Sequence, residues 1–285
     1  MSEREKTREE PFTDWDHGLY KIFRNGLVEW GRLGLSSERM AKELVKSGVL
    51  VWRRIVNQEP DQKCVIYGQG RSGSTLLKTL LGSHPQLTTK DELLSYRRLF
   101  PVQFVEYEAS RASTSHFLWH LKPWHPTRRQ AVELVPLLRK LEERGYTFIH
   151  LRRKNEFLKS LSQVKLFTED ILHAKEEDPV PEAVEINPRM LVSMLREKDR
   201  AYRVEQLGLD ALEQTPVRVE YETDLQDAAR HQPTCDRLFE ALGLPPVEVT
   251  TMLQKTSPSD WRAGVVNVGE VESALRIAGY EEYLS

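Results

Sequence analysis

Cys64-Val65-Ile66-Tyr67-Gly68-Gln69-Gly70-Arg71-Ser72-Gly73-Ser74-Thr75-Leu76-Leu77 decides the fold. The run opens on a β-branched apolar stretch with the composition of a buried strand. It passes through a glycine-rich turn and enters an apolar-periodic helix from Leu76 to Leu81. Gly68 and Gly73 have the spacing of a phosphate loop, in which backbone amides and the positive end of the following helix hold an anion. A triphosphate loop would continue Gly-Lys-Ser/Thr; here Gly73-Ser74-Thr75 puts serine in the lysine position. Arg71 stands two residues before the second glycine instead. The expectation is a phosphate cradle not built for triphosphate hydrolysis.

Outward from this loop, strand and helix signals alternate. A strand over 63–68 and a helix over 73–83 come first, the helix stopped by Ser83-His84-Pro85. A strand is expected within 114–122, a charged amphipathic helix over 128–144, and a core strand at Tyr146-Thr147-Phe148-Ile149-His150-Leu151. Helices are expected from Glu156 to Phe167, over 189–213, over 232–242 and near 269–278, with a strand at Val217-Arg218-Val219-Glu220-Tyr221. An acidic, proline-containing loop covers Asp178 to Pro188. Alternation of this kind implies an α/β fold, a three-layer sandwich around a parallel sheet. Residues 1–58 read as an N-terminal helical extension and 59–285 as the main domain. Within the extension, residues 1–12 are a charged lead, and helices are expected from Trp15 to Trp30 and from about Ser36 to Ile55. Their polar faces mix both charge signs, which favours packing on the main domain over a membrane surface.

A second anion-binding signal lies in Leu151-Arg152-Arg153-Lys154-Asn155-Glu156-Phe157-Leu158-Lys159-Ser160-Leu161-Ser162. A buried strand delivers Arg152 at its carboxyl end and a helix follows. Ligands of open α/β sheets sit outside the carboxyl ends of the strands.

The run Arg71-Ser72-Gly73-Ser74-Thr75 resembles the donor loop of the sulfotransferases that use 3′-phosphoadenosine 5′-phosphosulfate (PAPS), closest to the bacterial and carbohydrate types. The resemblance covers roughly residues 60–275. It implies that Gly70, Arg71, Ser72, Gly73, Ser74 and Thr75 hold the 5′-phosphosulfate, with Arg71 near the bridging oxygen. It assigns the 3′-phosphate to Arg152 and Ser160, with Ser162 as the rival serine. Tyr221, in a strand ending Tyr-Glu, would lie beside the adenine. A tail through Lys255 and Arg262 would cover the nucleotide, one of the two near a donor phosphate.

The resemblance also implies a catalytic base. Ser83-His84-Pro85-Gln86-Leu87-Thr88-Thr89-Lys90-Asp91-Glu92-Leu93-Leu94 matches a segment whose glutamate takes the acceptor proton. Glu92 is that residue, with Asp91 where the family has glycine. Partial burial near an anionic donor would raise its pKa, which suits a base. Cytosolic relatives use a histidine after a lysine, so His125 is the rival base and Lys122 a sulfate contact, in His120-Leu121-Lys122-Pro123-Trp124-His125. Trp119 and Trp124 are either ordinary packing or an acceptor-side wall.

The implied activity is transfer of a sulfuryl group from PAPS to a hydroxyl of a carbohydrate, lipid or small molecule, without a metal. The alternatives are a phosphotransferase of related fold, which would want the lysine that Ser74 replaces, and a non-catalytic anion-binding module. Forty-one basic and 43 acidic residues give a formal charge of −2, so no global pull on nucleic acid is expected. Cys64 and Cys235 make neither a disulfide framework nor a zinc site, which fits a reducing, cytoplasmic setting. Met1 to Glu10 is charged and does not read as a secretory signal, and no apolar run is long enough to span a membrane. The residues fix no oligomeric state, a dimer included.

Overall fold

The computed structural model describes residues 41–43, 45–50, 59–168, 183–253 and 260–284. The expected helix from Trp15 to Trp30 and the site residue Lys255 lie outside them. Of the second expected helix, residues 41–43 and 45–50 are described, and they are helical.

The fold is α/β, with a five-stranded parallel sheet in the order β2-β3-β1-β4-β5. The strands are β1 (Gln62–Tyr67), β2 (Leu87–Thr89), β3 (His116–Leu121), β4 (Tyr146–Arg152) and β5 (Val217–Glu220). The helices are α1 (Ser74–Leu81), α2 (Pro101–Ser110), α3 (Leu134–Glu143), α4 (Glu156–Thr168), α5 (Pro188–Asp210), α6 (His231–Ala241) and α7 (Val268–Ala278). Cys64, Val65, Ile66 and Tyr67 of β1 are all fully buried. That explains the unbroken apolar run at the head of the glycine loop, since a central parallel strand is covered on both faces. β1 pairs with β3 from Gln62↔His116 to Tyr67↔Leu121, and β2 pairs with the other side of β3 from Leu87↔His116.

The residues group into two compact units. The first gathers the described residues up to Tyr67, Pro85–Ile149 and Leu207–Pro216. Its core is built by Val65, Tyr67, Phe117, Trp119, Leu121, Leu138, Tyr146 and Phe148. The same unit buries an ion pair: Lys63 Nζ donates to Glu106 Oε1 and Oε2 at 3.2 and 3.1 Å, with the Glu106 side chain 1 % exposed. The second unit gathers Gly68–His84, His150–Gln206 and the described residues from Val217 onward. Phe157, Leu161, Val164, Leu191, Leu195, Trp261, Val271 and Leu275 pack its core.

Two elements escape the sequence reading. β2 is only three residues long, and α2 is covered on most of its surface, with Val102, Phe104, Val105 and Ala109 buried. The expected helix over 128–144 splits in two. His125–Gln130 forms a π-type turn, Ala131 takes a left-handed φ of 54°, and α3 starts at Leu134. Pro136 is the cause: it fits the first turn of α3 but would remove a backbone bond from the interior of a longer helix. Among the described residues no helix is long and apolar enough to cross a membrane.

Candidate functional site

In the second unit the glycine loop leads directly into α1. A methyl group added at Gly68 would collide with the carbonyl oxygen of Leu151, so only glycine lets the loop start this close to β4. Gly73 caps α1 with a left-handed φ of 91°, and a β-carbon there would lie 2.7 Å from the Tyr221 ring. Arg71 also adopts a left-handed φ, 64°. For an arginine that costs of order 1 kcal/mol, and such strain gathers at binding loops. No side chain caps α1 and its first turn holds no acidic residue, so its leading amides and positive end meet no carboxylate of that turn.

Arg153 from the end of β4 and Ser162 from α4 reach the loop. Arg71 donates from Nε and Nη2 to Ser162 Oγ at 3.0 and 2.8 Å. Arg153 Nη1 donates to the Arg71 carbonyl oxygen at 3.3 Å, and its guanidinium lies 4.5 Å over the Tyr221 ring. Arg152 lies 4.4 Å over the Tyr202 ring of α5. Loss of water around the Arg71 guanidinium, and then the like charge of Arg153, pull its pKa below the ordinary arginine value. Among the described residues none of Arg71, Arg152 and Arg153 pairs with a carboxylate.

Several buried polar atoms here lack a hydrogen-bond partner among the described residues: Gln69 Oε1, Ser72 Oγ, Arg152 Nε, Arg153 Nε and Ser160 Oγ. Ser72 is 1 % exposed and Ser160 fully buried. A buried polar atom left unpaired costs about 1–3 kcal/mol, so each of these atoms has bonding capacity that an added acceptor or donor would satisfy. The donor types fit a phosphorylated, sulfated ligand: hydroxyls, guanidinium N–H groups and a helix N-terminus, all suited to oxyanions.

A polar network braces the loop from behind. Glu205 Oε2 accepts from Gln69 Nε2 at 2.9 Å, and Glu205 Oε1 lies 2.7 Å from His150 Nε2. Glu222 accepts from the backbone amides of Lys154 and Asn155 at 3.1 and 3.0 Å, fixing the turn before α4. Lys159 is buried against Glu156 at 2.7 Å; burial lowers its pKa below the ordinary lysine value although Glu156 pulls the other way.

In the first unit a second cluster forms around Glu92. Lys122 Nζ lies 2.6 Å from Glu92 Oε1, His120 Nδ1 3.6 Å from the same oxygen, and His125 Nε2 3.3 Å from Oε2 without the alignment of a hydrogen bond. The Lys122 amide faces His125 Nδ1 at 3.4 Å, so the neutral ring carries its proton on Nε2, toward Glu92. β3 ends at Leu121, which places His120, Lys122 and His125 around one strand end. Gln130 ties down the segment after Glu92: its Nε2 donates to the carbonyls of Leu94 and Tyr96 at 2.7 Å each, and its Oε1 accepts from the Arg98 amide at 2.8 Å. Asp91 has no positive φ, so the backbone does not require the glycine usual in the resembled family.

The expected rise in the Glu92 pKa does not occur. Burial does push it up, but the contacts from His120, His125 and Lys122 and the Lys122 charge outweigh that and hold the carboxyl well below the usual carboxylate range. His125 is fully buried; burial lowers its pKa, against the pull of Glu92.

Gly70, Arg71, Ser72, Gly73, Ser74, Thr75, Arg152, Ser160, Ser162 and Tyr221 all lie in the second unit, where Arg71 meets Ser162 and Gly73 meets Tyr221; Glu92, Lys122 and His125 lie together in the first. Arg262 stands apart in bonding: its donors go to Glu272 Oε1 and the Leu284 carbonyl, both at 2.8 Å, so it serves the packing of the tail. Sequence reasoning assigned no role to Gln69, Glu205, His150, Arg153, His120 or Gln130. Only Arg153 carried a signal, as the second member of the Arg152-Arg153-Lys154 run. No family model matches the chain, and no curated protein matches it.

Proposed function

We propose that the protein is a PAPS-dependent sulfotransferase acting on a hydroxyl of a carbohydrate, lipid or small molecule, in the cytoplasm. The observation that carries this is a glycine loop with an unpartnered Ser72 hydroxyl, whose Arg71 and the Arg153 that reaches it pair with no carboxylate among the described residues; Arg152 and the unpartnered Ser160 hydroxyl follow on β4 and α4. In this reading the glycine loop is a phosphate loop and the fold a three-layer sandwich of that class. The missing lysine at Ser74 argues against a triphosphate-dependent phosphotransferase.

The reaction moves a sulfuryl group. The bond between its sulfur and the bridging oxygen of the donor breaks, and a bond from sulfur to the acceptor oxygen forms. The acceptor proton goes to a base, and the negative charge stays on the donor phosphate. Arg71 and the amides at the start of α1 stabilise that growing charge. Arg152 and Ser160 hold the 3′-phosphate, which does not change. Glu92 takes the proton. It is ionised at neutral pH and therefore able to accept. His125 is fully buried and its Nδ1 faces the Lys122 backbone amide, whereas Glu92 is partly exposed, which favours Glu92 over His125 as the base.

The experiment is a thermal-shift comparison followed by turnover. The product nucleotide, 3′-phosphoadenosine 5′-phosphate (PAP), is expected to raise the melting temperature far more than ATP. A ligand at about a hundred times its dissociation constant adds roughly 2.7 kcal/mol. Equal stabilisation by ATP would count against the proposal. Labelled PAPS incubated with a cell extract then identifies the acceptor through the labelled product.

A further inference from the structure

We infer that Arg153 is a direct contact for the 5′-phosphosulfate of the donor, working beside Arg71 while Arg152 serves the opposite end. The inference rests on the PAPS reading above and adds a residue to it. Arg152 and Arg153 are consecutive at the end of β4, and successive side chains of an extended segment point to opposite sides. Here the two guanidiniums separate accordingly. Arg152 goes to Tyr202 of α5, whereas Arg153 goes to Tyr221 and to the Arg71 carbonyl oxygen inside the glycine loop.

Three features give Arg153 a ligand to hold. Its Nε is buried and has no partner among the described residues. Its charge has no carboxylate among them. The Arg71 fork has already spent Nε and Nη2 on Ser162, so Arg153 offers the N–H group beside the loop that awaits an acceptor. Tyr221 supplies the platform: its ring meets Gly73 on the loop and carries the Arg153 guanidinium 4.5 Å away. A planar fork stacked on an aromatic ring keeps its orientation, which suits oxyanion recognition.

The test uses the full chain and three adenine nucleotides: PAP, 3′-AMP and 5′-AMP. In the wild type, PAP binds more tightly than 3′-AMP because of its 5′-phosphate. Arg153→Gln is expected to weaken PAP by about ten-fold or more and to shrink its advantage over 3′-AMP, the size expected for a lost charge-assisted bond. Arg152→Gln is expected to shrink the advantage of PAP over 5′-AMP instead. Arg153→Lys, which keeps the charge but not the fork, is expected to fall between wild type and Arg153→Gln, and it carries the test if the glutamine variant does not fold. An Arg153 variant that keeps the full advantage of PAP over 3′-AMP overturns the assignment. If the wild type binds none of the three nucleotides, the PAPS reading itself fails. Stabilisation by inorganic sulfate then tests Arg153 separately: an effect equal in wild type and Arg153→Gln overturns it as an anion contact.

Discussion

Lys122 Nζ sits 2.6 Å from Glu92 Oε1, and the carboxyl of Glu92 is held far below the ordinary range although burial alone would raise it. Removing the ammonium takes away its contact and its charge and leaves the contacts from His120 and His125 to oppose burial. Lys122→Met is therefore expected to raise the Glu92 pKa and to move the acidic limb of the turnover profile to higher pH. Loss of a sulfate contact would lower the plateau without moving the limb, so a pH–rate profile separates the two effects. An unmoved limb would remove Glu92 from the role of base.

Glu92→Gln is expected to keep PAP binding and lose turnover by about a hundred-fold or more. The same variant tests stability. A carboxyl whose folded pKa is depressed adds stability that is present above the unfolded value, about 4.3, and lost as pH falls toward the folded value. Wild type is thus expected to lose melting temperature more steeply below that pH than Glu92→Gln does. His125 adds loss at a higher pH. Its folded pKa is lowered, so the unfolded chain takes up the proton first as pH falls below about 6.5. His125→Asn should flatten that part of the curve, with a smaller effect on turnover than Glu92→Gln.

Arg71 and Arg152 are expected to fail differently. Arg71→Ala lowers kcat more than donor affinity, because the charge beside it grows in the transition state. Arg152→Ala mainly weakens donor affinity. Steady-state kinetics with PAP inhibition constants measure both, and equal losses of affinity alone would sink the division of roles.

Gly73→Ala is expected to destabilise the protein by about 1–3 kcal/mol and to abolish PAP stabilisation. The left-handed φ and the Tyr221 ring both oppose the methyl group. Tyr221→Ala in the same chain relieves the collision but not the backbone strain, so thermal melts should show only partial recovery.

Glu106→Gln is expected to cost about 3 kcal/mol, because it takes the nearer of two carboxylates from the buried Lys63 ammonium and leaves Glu59 at 4.0 Å. Adding Lys63→Met should recover part of the loss by removing that ammonium, while Arg144, 3.9 Å from Glu106, still lacks the carboxylate. Denaturant unfolding of both variants checks this.

The alternation of strands and helices was legible because buried parallel strands are written as unbroken apolar runs, as at Cys64 to Tyr67 and Tyr146 to Leu151. β2 was not, being three residues without a period to read. α2 was hidden by burial all round, which erases the polar face that marks a surface helix. The glycine loop could be read because Gly68 and Gly73 answer steric demands no other residue meets. The fall in the Glu92 pKa could not: it depends on His120, Lys122 and His125 converging on one carboxylate, and burial and charge act on it with opposite sign. Glu205 was equally out of reach, because its partners Gln69 and His150 are more than fifty positions away in the chain.

Gln130 makes three bonds to the stretch from Leu94 to Arg98, which the buried Leu94 side chain and the Arg98–Glu43 ion pair also hold. Release of the Gln130 amide alone therefore bares one backbone amide to exchange with solvent, that of Arg98, while the stretch around it stays anchored.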